Sequence, residues 1–303
     1  MMRKSDWAGV FPAITTPFHT DGSLDEAFLA QHAAWLIENG CTGMVALGSL
    51  GEGATLTFPE KVRILEILRA AIGPNVPLVA GISGLSTGEC VALARASQKA
   101  GCDGLMVLPP YVYLGDWRET EAHFSAVISA TPLSCMLYNN PIAYGTDLSA
   151  RDVEEFADRH ANVHAVKDSS GDVRRLTAYR ELLGERMAIF AGLDDMVLES
   201  TLMGGDGWIA GLVNALPEES VRLFELGRDG RVDEARRLYE WFLPLLRMDT
   251  VPKFVQLIKL VQTQVGKGSE TVRPPRLPLA GQERNETLAL IRARLEARAT
   301  VLV

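Results

Sequence analysis

Residues 78–108, LVAGISGLSTGECVALARASQKAGCDGLMVL, hold one complete structural unit. Leu78–Ile82 is a short apolar run that does not alternate, the pattern of a strand buried on both faces. Ser86-Thr87-Gly88-Glu89 fits the capping box, in which hydroxyl and carboxylate satisfy the orphan amides of a helix start. Val91–Ala100 then carries apolar residues at three- and four-residue steps, Gly101 marks the stop, and Gly104–Leu108 is the next buried run. Strand, helix and strand in this order predict a right-handed crossover between parallel neighbours.

The same unit recurs in both directions. Further apolar runs lie at Gly9–Ile14, Gly43–Leu47, Cys135–Tyr138, Val163–Val166, Ala188–Ala191 and Trp208–Leu212, which makes eight with the two above. Capping boxes are also legible at Ser23-Leu24-Asp25-Glu26 and Thr57-Phe58-Pro59-Glu60, ahead of helical patterns at Ala27–Leu36 and Val62–Ala71. Gly40 and Gly73 mark helix ends as Gly101 does. Eight strands within about 225 residues predict an α/β fold, a (β/α)₈ barrel carrying the active site over residues 1–225. After Leu216 the strand signal stops. Val221–Gly227, Val232–Leu246, Pro252–Val265 and a last segment near Gln282–Ala299 read as helices, so residues 226–303 are expected as a helical extension packed on the barrel.

Composition narrows the class. Of 303 residues, 47% are apolar and 22% charged, with a net charge of 30 − 38 = −8. That range belongs to a globular chain. A basic stripe for nucleic acid is missing before the last helix, where Arg284, Arg292, Arg294 and Arg298 alternate with acids. Cys41, Cys90, Cys102 and Cys135 are scattered without metal-ligand or redox spacing, as small buried thiols in a reducing compartment would be. The longest charge-free stretch, Ala122–Thr146, contains Pro132 and Pro141, which disfavours a membrane span. A cytoplasmic enzyme without nucleic-acid or membrane partners is the expectation.

In such a barrel, polar residues at the C-terminal ends of strands face the open mouth. Lys167 follows the sixth run directly, where low-dielectric walls disfavour the ammonium and favour the neutral amine that attacks a carbonyl. A lysine paired with Asp168 or reaching the rim is the structural alternative. Tyr138 ends the fifth run and could shuttle protons beside that amine, or simply close the core. After the second run, Leu47-Gly48-Ser49-Leu50-Gly51-Glu52 offers backbone amides and a hydroxyl to a carboxylate.

Together these residues resemble the dihydrodipicolinate synthase / N-acetylneuraminate lyase family of class I, Schiff-base-forming enzymes. The likeness lies in GVFPAITTP (Gly9–Pro17), GSLGE (Gly48–Glu52), LPPY (Leu108–Tyr111), YNNP (Tyr138–Pro141), KDSSG (Lys167–Gly171) and GLDD (Gly192–Asp195). The resemblance implies that Lys167 forms the Schiff base with a 2-oxo acid and that Tyr138 relays protons. Ser49 and Leu50 would hold the substrate carboxylate with Gly48, while Gly192 and Ile209 line the pocket. It also implies no cofactor, no metal and a homotetramer built as a dimer of dimers.

Two departures bear on the substrate. Where the synthase branch has a carboxylate-gripping arginine two residues after the YNxP proline, this chain has Ala143. Where that branch has a second tyrosine after the first, Tyr111 is followed by Val112. The pairing of YNNP and GSLGE, with Met248–Leu260 and Val272–Leu279, is similar to members that deaminate Δ1-pyrroline-4-hydroxy-2-carboxylate in hydroxyproline catabolism. Pyruvate-releasing cleavage of a 2-keto-3-deoxy sugar acid or sialic acid, the lysine-pathway synthase reaction and a non-catalytic sensor barrel are the alternatives.

Other motifs are explained without chemistry. Gly84–Gly88 matches the GxSxG elbow of serine hydrolases, but Ser86 already serves a helix cap. His160 and His164 are split by a strand start. Gly205–Ala210 has dinucleotide-loop spacing but precedes a strand, and the PxxP at Pro275–Pro278 reads as a stiff interhelix loop.

Overall fold

In the computed structural model, which describes residues 2–298, eight parallel strands alternate with helices in a nearly closed (β/α)₈ barrel, followed by C-terminal helices. The strands are β1 (Gly9–Pro12), β2 (Met44–Ala46), β3 (Leu78–Ile82), β4 (Gly104–Val107), β5 (Ser134–Asn139), β6 (Val163–Asp168), β7 (Ala188–Ala191) and β8 (Gly207–Ala210). β1 pairs with β8, and a parallel bridge from Ala13 to Val45 joins β1 to β2 at the seam. The helices are α1 (Glu26–Glu38), α2 (Phe58–Ile72), α3 (Thr87–Lys99), α4 (Trp117–Ile128), the single turn α5 (Pro141–Tyr144), α6 (Ala150–Arg159), α7 (Arg174–Leu183) and α8 (Val197–Leu202). α9 (Pro217–Arg228) packs on β1 and β8, and α10 (Val232–Leu246), α11 (Phe254–Gln264) and α12 (Gly281–Glu296) follow.

Two cores result from the strand period of two. Residues facing outward join the helices in one large apolar cluster. Those facing inward, including Trp7, Phe11, Val45, Val79, Met106, Met136, Ala165 and Phe190, fill the barrel. Large rings are matched by missing side chains: a Cβ at Gly43 would collide with the Phe11 ring, and one at Gly207 with that of Phe190. Tyr138 and Lys167 share the inward parity of Met136 and Ala165, so they extend the barrel's contents toward its C-terminal mouth.

Local signals fare unevenly. Thr57 and Glu60 make the full capping box. Ser86 Oγ accepts from Glu89 N at 3.2 Å, but the Glu89 carboxylate takes Leu85 N instead of Ser86 N. At the first box the expectation is wrong. Asp25 is the cap, accepting from Phe28 N at 3.0 Å, while Ser23 Oγ donates to Asp21, because the two-residue turn after Asp21 captures that hydroxyl first. Gly40, Gly73 and Gly101 take φ of 93°, 74° and 87°, the left-handed conformation their helix ends require. The last helix stops at Glu296, and Ala299 lies outside the described residues. Among the described residues no helix is long and apolar enough to cross a membrane.

Candidate active site

β5 and β6 run in register with Tyr138 directly opposite Lys167. Lys167 Nζ lies 4.0 Å from the centre of the Tyr138 ring. Lys167 is 7% exposed, and no hydrogen bond or ion pair engages Nζ among the described residues. Pairing with Asp168 is ruled out by that carboxylate's own partners. Its Oδ2 accepts from Asn139 Nδ2 at 3.0 Å and Tyr179 Oη at 2.7 Å, and its Oδ1 from Ser170 N at 2.9 Å. The KDSSG motif thus divides into an inward amine and an outward structural carboxylate.

The YNNP motif divides in the same way. Asn139 turns outward and accepts from Leu148 N at 2.8 Å, fixing the next loop. Asn140 Nδ2 donates to Tyr138 Oη at 2.9 Å, while its Oδ1 caps α5 through Ala143 N at 3.0 Å. Tyr138 therefore has its hydroxyl positioned as an acceptor from Asn140, with its own proton left to donate.

On the opposite wall, the loop after β2 is folded tightly enough to require left-handed Leu47 (φ 64°) and Glu52 (φ 54°). A Cβ at Gly53 would collide with Leu47 O. The loop is pinned from below. Glu52 is fully buried, with Oε1 2.6 Å from Lys259 Nζ on α11 and Oε2 accepting from Arg273 N at 3.0 Å. Ser49 Oγ is held at 2.5 Å from Tyr144 Oη.

Gly48, Ser49, Leu50, Tyr138, Ala143, Lys167, Gly192 and Ile209 all line one cavity of about 420 Å³ at the barrel mouth. Gly192 is there because nothing larger fits: a Cβ would collide with Ser169 Oγ. Beneath it Asp194 is fully buried and accepts from Trp208 Nε1, Gly211 N and Leu212 N. Burial pushes its carboxyl up to about 6, against the opposing pull of those N–H donors.

Three ionisable lining residues escaped the sequence reading. Tyr144, three residues past Pro141, packs against Tyr138 (centroids 5.8 Å apart) and Tyr111 (5.4 Å). Burial beside those rings drives its phenol further above the ordinary tyrosine range, so it stays a proton donor. Val112, where a second tyrosine was sought, is 90% exposed, and Tyr113 bonds Glu119 instead. Asp249, after α10, and Arg276, in the loop before α12, complete the rim. The first belongs to the quoted Met248–Leu260 stretch and the second to Val272–Leu279, but only the tertiary fold brings these tail segments over the mouth.

The remaining candidates stay apart from this cavity. His160 Nε2 meets Ser125 and His164 Nδ1 meets Ser134, and no metal-holding cluster of His, Cys, Asp and Glu exists among the described residues. All four cysteines are buried and free, with burial raising Cys41 and Cys135 to about 12.

Known proteins resemble the chain along almost its whole length. The family model described as the dihydrodipicolinate synthetase family matches residues 6–294. A 4-hydroxy-tetrahydrodipicolinate synthase of Methanosphaerula palustris is 33% identical over 285 residues, covering 93% of this chain and 96% of that protein. The solved structure of a dihydrodipicolinate synthase from Bacillus anthracis superposes with a TM-score of 0.91 at 27% identity, covering 96% of this chain and 99% of the other. An E. coli prophage protein of the dihydrodipicolinic acid synthase family, solved in complex with pyruvate, gives a TM-score of 0.89 at 30% identity, covering 95% and 98%.

Proposed function

The chain belongs to the dihydrodipicolinate synthetase family, and from that premise we propose that Lys167 joins the 2-carbon of a 2-oxo acid or cyclic 2-imino acid as a Schiff base. It is a lyase of that family. One observation carries the assignment of Lys167: a buried amine without a hydrogen-bonding partner, over a tyrosine ring, on the floor of the mouth cavity. Such an amine has no hydrogen bond to break before it attacks a carbonyl. The carbinolamine must gain and lose protons, and Tyr138, Ser49 and Tyr144 supply hydroxyls for this. Backbone amides at Ser49 and Leu50 suit the substrate carboxylate. The protonated imine is itself the electron sink, so no metal or cofactor is called for.

Incubation with pyruvate and borohydride should add one reduced pyruvyl group on Lys167, located by peptide mass spectrometry, and Lys167→Ala should abolish it. Labelling elsewhere, or none, would defeat the assignment.

Two outcomes after imine formation are worth separating. Ala143, with no guanidinium, and the outward Val112 favour deamination of Δ1-pyrroline-4-hydroxy-2-carboxylate. Lys167 would attack C2 and open the ring, C3 would lose a proton, and the C4 hydroxyl would leave. Tautomerisation and hydrolysis then yield ammonia and 2-oxoglutarate semialdehyde. This substrate has no support from the relatives described, two of which are named as synthases; it rests on residues of this chain. The lysine-pathway synthase reaction, condensation of pyruvate with an aldehyde, is favoured by relatives named 4-hydroxy-tetrahydrodipicolinate synthase and by the Arg276 guanidinium that lines the cavity. Ammonia from the pyrroline compound supports the first, and diaminopimelate-auxotroph rescue the second. Pyruvate from 2-keto-3-deoxygluconate or N-acetylneuraminate would displace both. We further expect a cytoplasmic homotetramer, and a monomer in sedimentation at micromolar concentration would contradict that.

A further inference from the structure

Asp249 ends the turn after α10 and stands against Gly211, the residue following β8. A Cβ at Gly211 would collide with Asp249 Oδ1, so the bare glycine is what lets the carboxyl reach the barrel mouth. Oδ1 is buried and has no hydrogen-bond partner among the described residues. A buried acceptor left unsatisfied is costly, so it is kept where it serves the site. Asp249 also lines the cavity that holds Lys167.

We propose that Asp249 is the proton donor to a hydroxyl leaving from C4 of a substrate held at C2 by Lys167, which assigns the site to 4-hydroxy-2-oxo acids and their cyclic imines. The proposal rests on the Schiff-base reading above. Once C3 has lost a proton, the enamine electron pair restores the C2=N bond, C3=C4 forms and the C4–O bond breaks. The oxygen takes the Asp249 proton and departs as water. The proton removed from C3 balances the one donated, and no oxidant or reductant takes part.

The charge environment favours the donor form. Burial raises the Asp249 carboxyl well above the ordinary range, the Asp194 and Asp195 carboxylates push in the same direction, and only Lys167 opposes. A neutral carboxyl can give a proton to a leaving hydroxyl. It cannot take one from it, which retro-aldol cleavage of the C3–C4 bond would require. The same side chain therefore favours elimination of water over release of pyruvate.

The test uses the full chain with two probes, 4-hydroxy-2-oxopentanoate and Δ1-pyrroline-4-hydroxy-2-carboxylate. The first can lose water to 2-oxopent-3-enoate or split to pyruvate and acetaldehyde, so its products report the path. Elimination should dominate in the parent protein. Asp249→Asn should lower it roughly 10²–10⁴-fold, while pyruvate is still trapped on Lys167. Gly211→Ala, which drives a methyl group into Oδ1, should reproduce the loss. Cleavage to pyruvate, no turnover of either probe, or equal losses of elimination and trapping in Asp249→Asn would overturn the proposal. Failure of the parent protein to trap pyruvate on Lys167 would overturn the underlying Schiff-base reading as well.

Discussion

Lys167 and Lys259 are both buried, 7% and 2% exposed, and only one of them is suited to chemistry. Lys259 Nζ donates to Glu52 Oε1 at 2.6 Å, Thr271 O at 2.7 Å and Thr16 O at 2.8 Å. Three donors meet three acceptors, so the ammonium is fully used. Burial pulls its pKa down, helped by the nearby Arg276 and Arg273 guanidinium groups, and Glu52 works against that pull. Lys167 has a tyrosine ring where Lys259 has a carboxylate. Depth therefore does not distinguish a structural amine from a reactive one. Satisfaction does, since a nitrogen whose protons are all held in hydrogen bonds must break one of them before it can attack a carbonyl.

The largest expected effect tests the unsatisfied member. Lys167→Met should lower turnover by roughly 10⁴-fold or more, because no other group forms the imine. Stability in urea should stay within about 0.5 kcal/mol of the parent, or rise, since the methionine replaces a buried polar group that no hydrogen bond satisfies. A large stability loss would make Lys167 a structural residue like Lys259.

Lys259→Met should behave in the opposite way. It leaves Glu52 Oε1 without its cation, with only Arg276 Nη1 at 3.8 Å from Oε2, a change that costs about 3–5 kcal/mol at most. The double variant Lys259→Met with Glu52→Gln should recover part of that loss. Non-additivity between the two, measured by denaturant titration, isolates the pair. Equal losses in the single and double variants would mean that the pair contributes little.

The contrast explains what could be read before folding. The barrel was legible because each strand, cap and glycine stop is local, and the eight runs match the eight strands to within a few residues. Lys167, Tyr138 and Ser49 were legible because strand ends have a fixed direction in a barrel. Lys259 was not, since its role depends on Glu52, 207 residues away in sequence. Tyr144, Asp249 and Arg276 were missed for the same reason. Nothing in a helix-turn or tail pattern states which mouth it will cover.

A smaller effect concerns the hydroxyls around Lys167. Tyr144→Phe removes the partner 2.5 Å from Ser49 Oγ but keeps the ring packed on Tyr138 and Tyr111. Turnover should fall roughly 10²-fold with a lesser change in KM. Ser49→Ala should give a similar loss, and the double variant little more, if both act in one relay. Additive losses would mean that the two hydroxyls act separately.

The smallest effect belongs to the structural seam and appears only with pH. His32 on α1 lies 3.3 Å from Asn214 Oδ1 and from Gln262 Nε2 on α11, the helix that carries Lys259. Burial lowers its pKa from 6.5 to about 4, so the folded protein holds the ring neutral where the unfolded chain would protonate it. Between those values the unfolded state binds more protons, and stability rises with pH. The His32 contribution is full above pH 6.5 and shrinks as pH falls toward 4, with a loss of roughly 1 kcal/mol by pH 5.5. Burial also lowers His123, His160 and His164, so the parent alone cannot isolate one ring. The difference between the parent and His32→Gln, each titrated with urea at pH 7 and 5.5, does isolate it. If both proteins lose the same stability over that interval, His32 is not the group that makes the α1–α11 seam sensitive to acid.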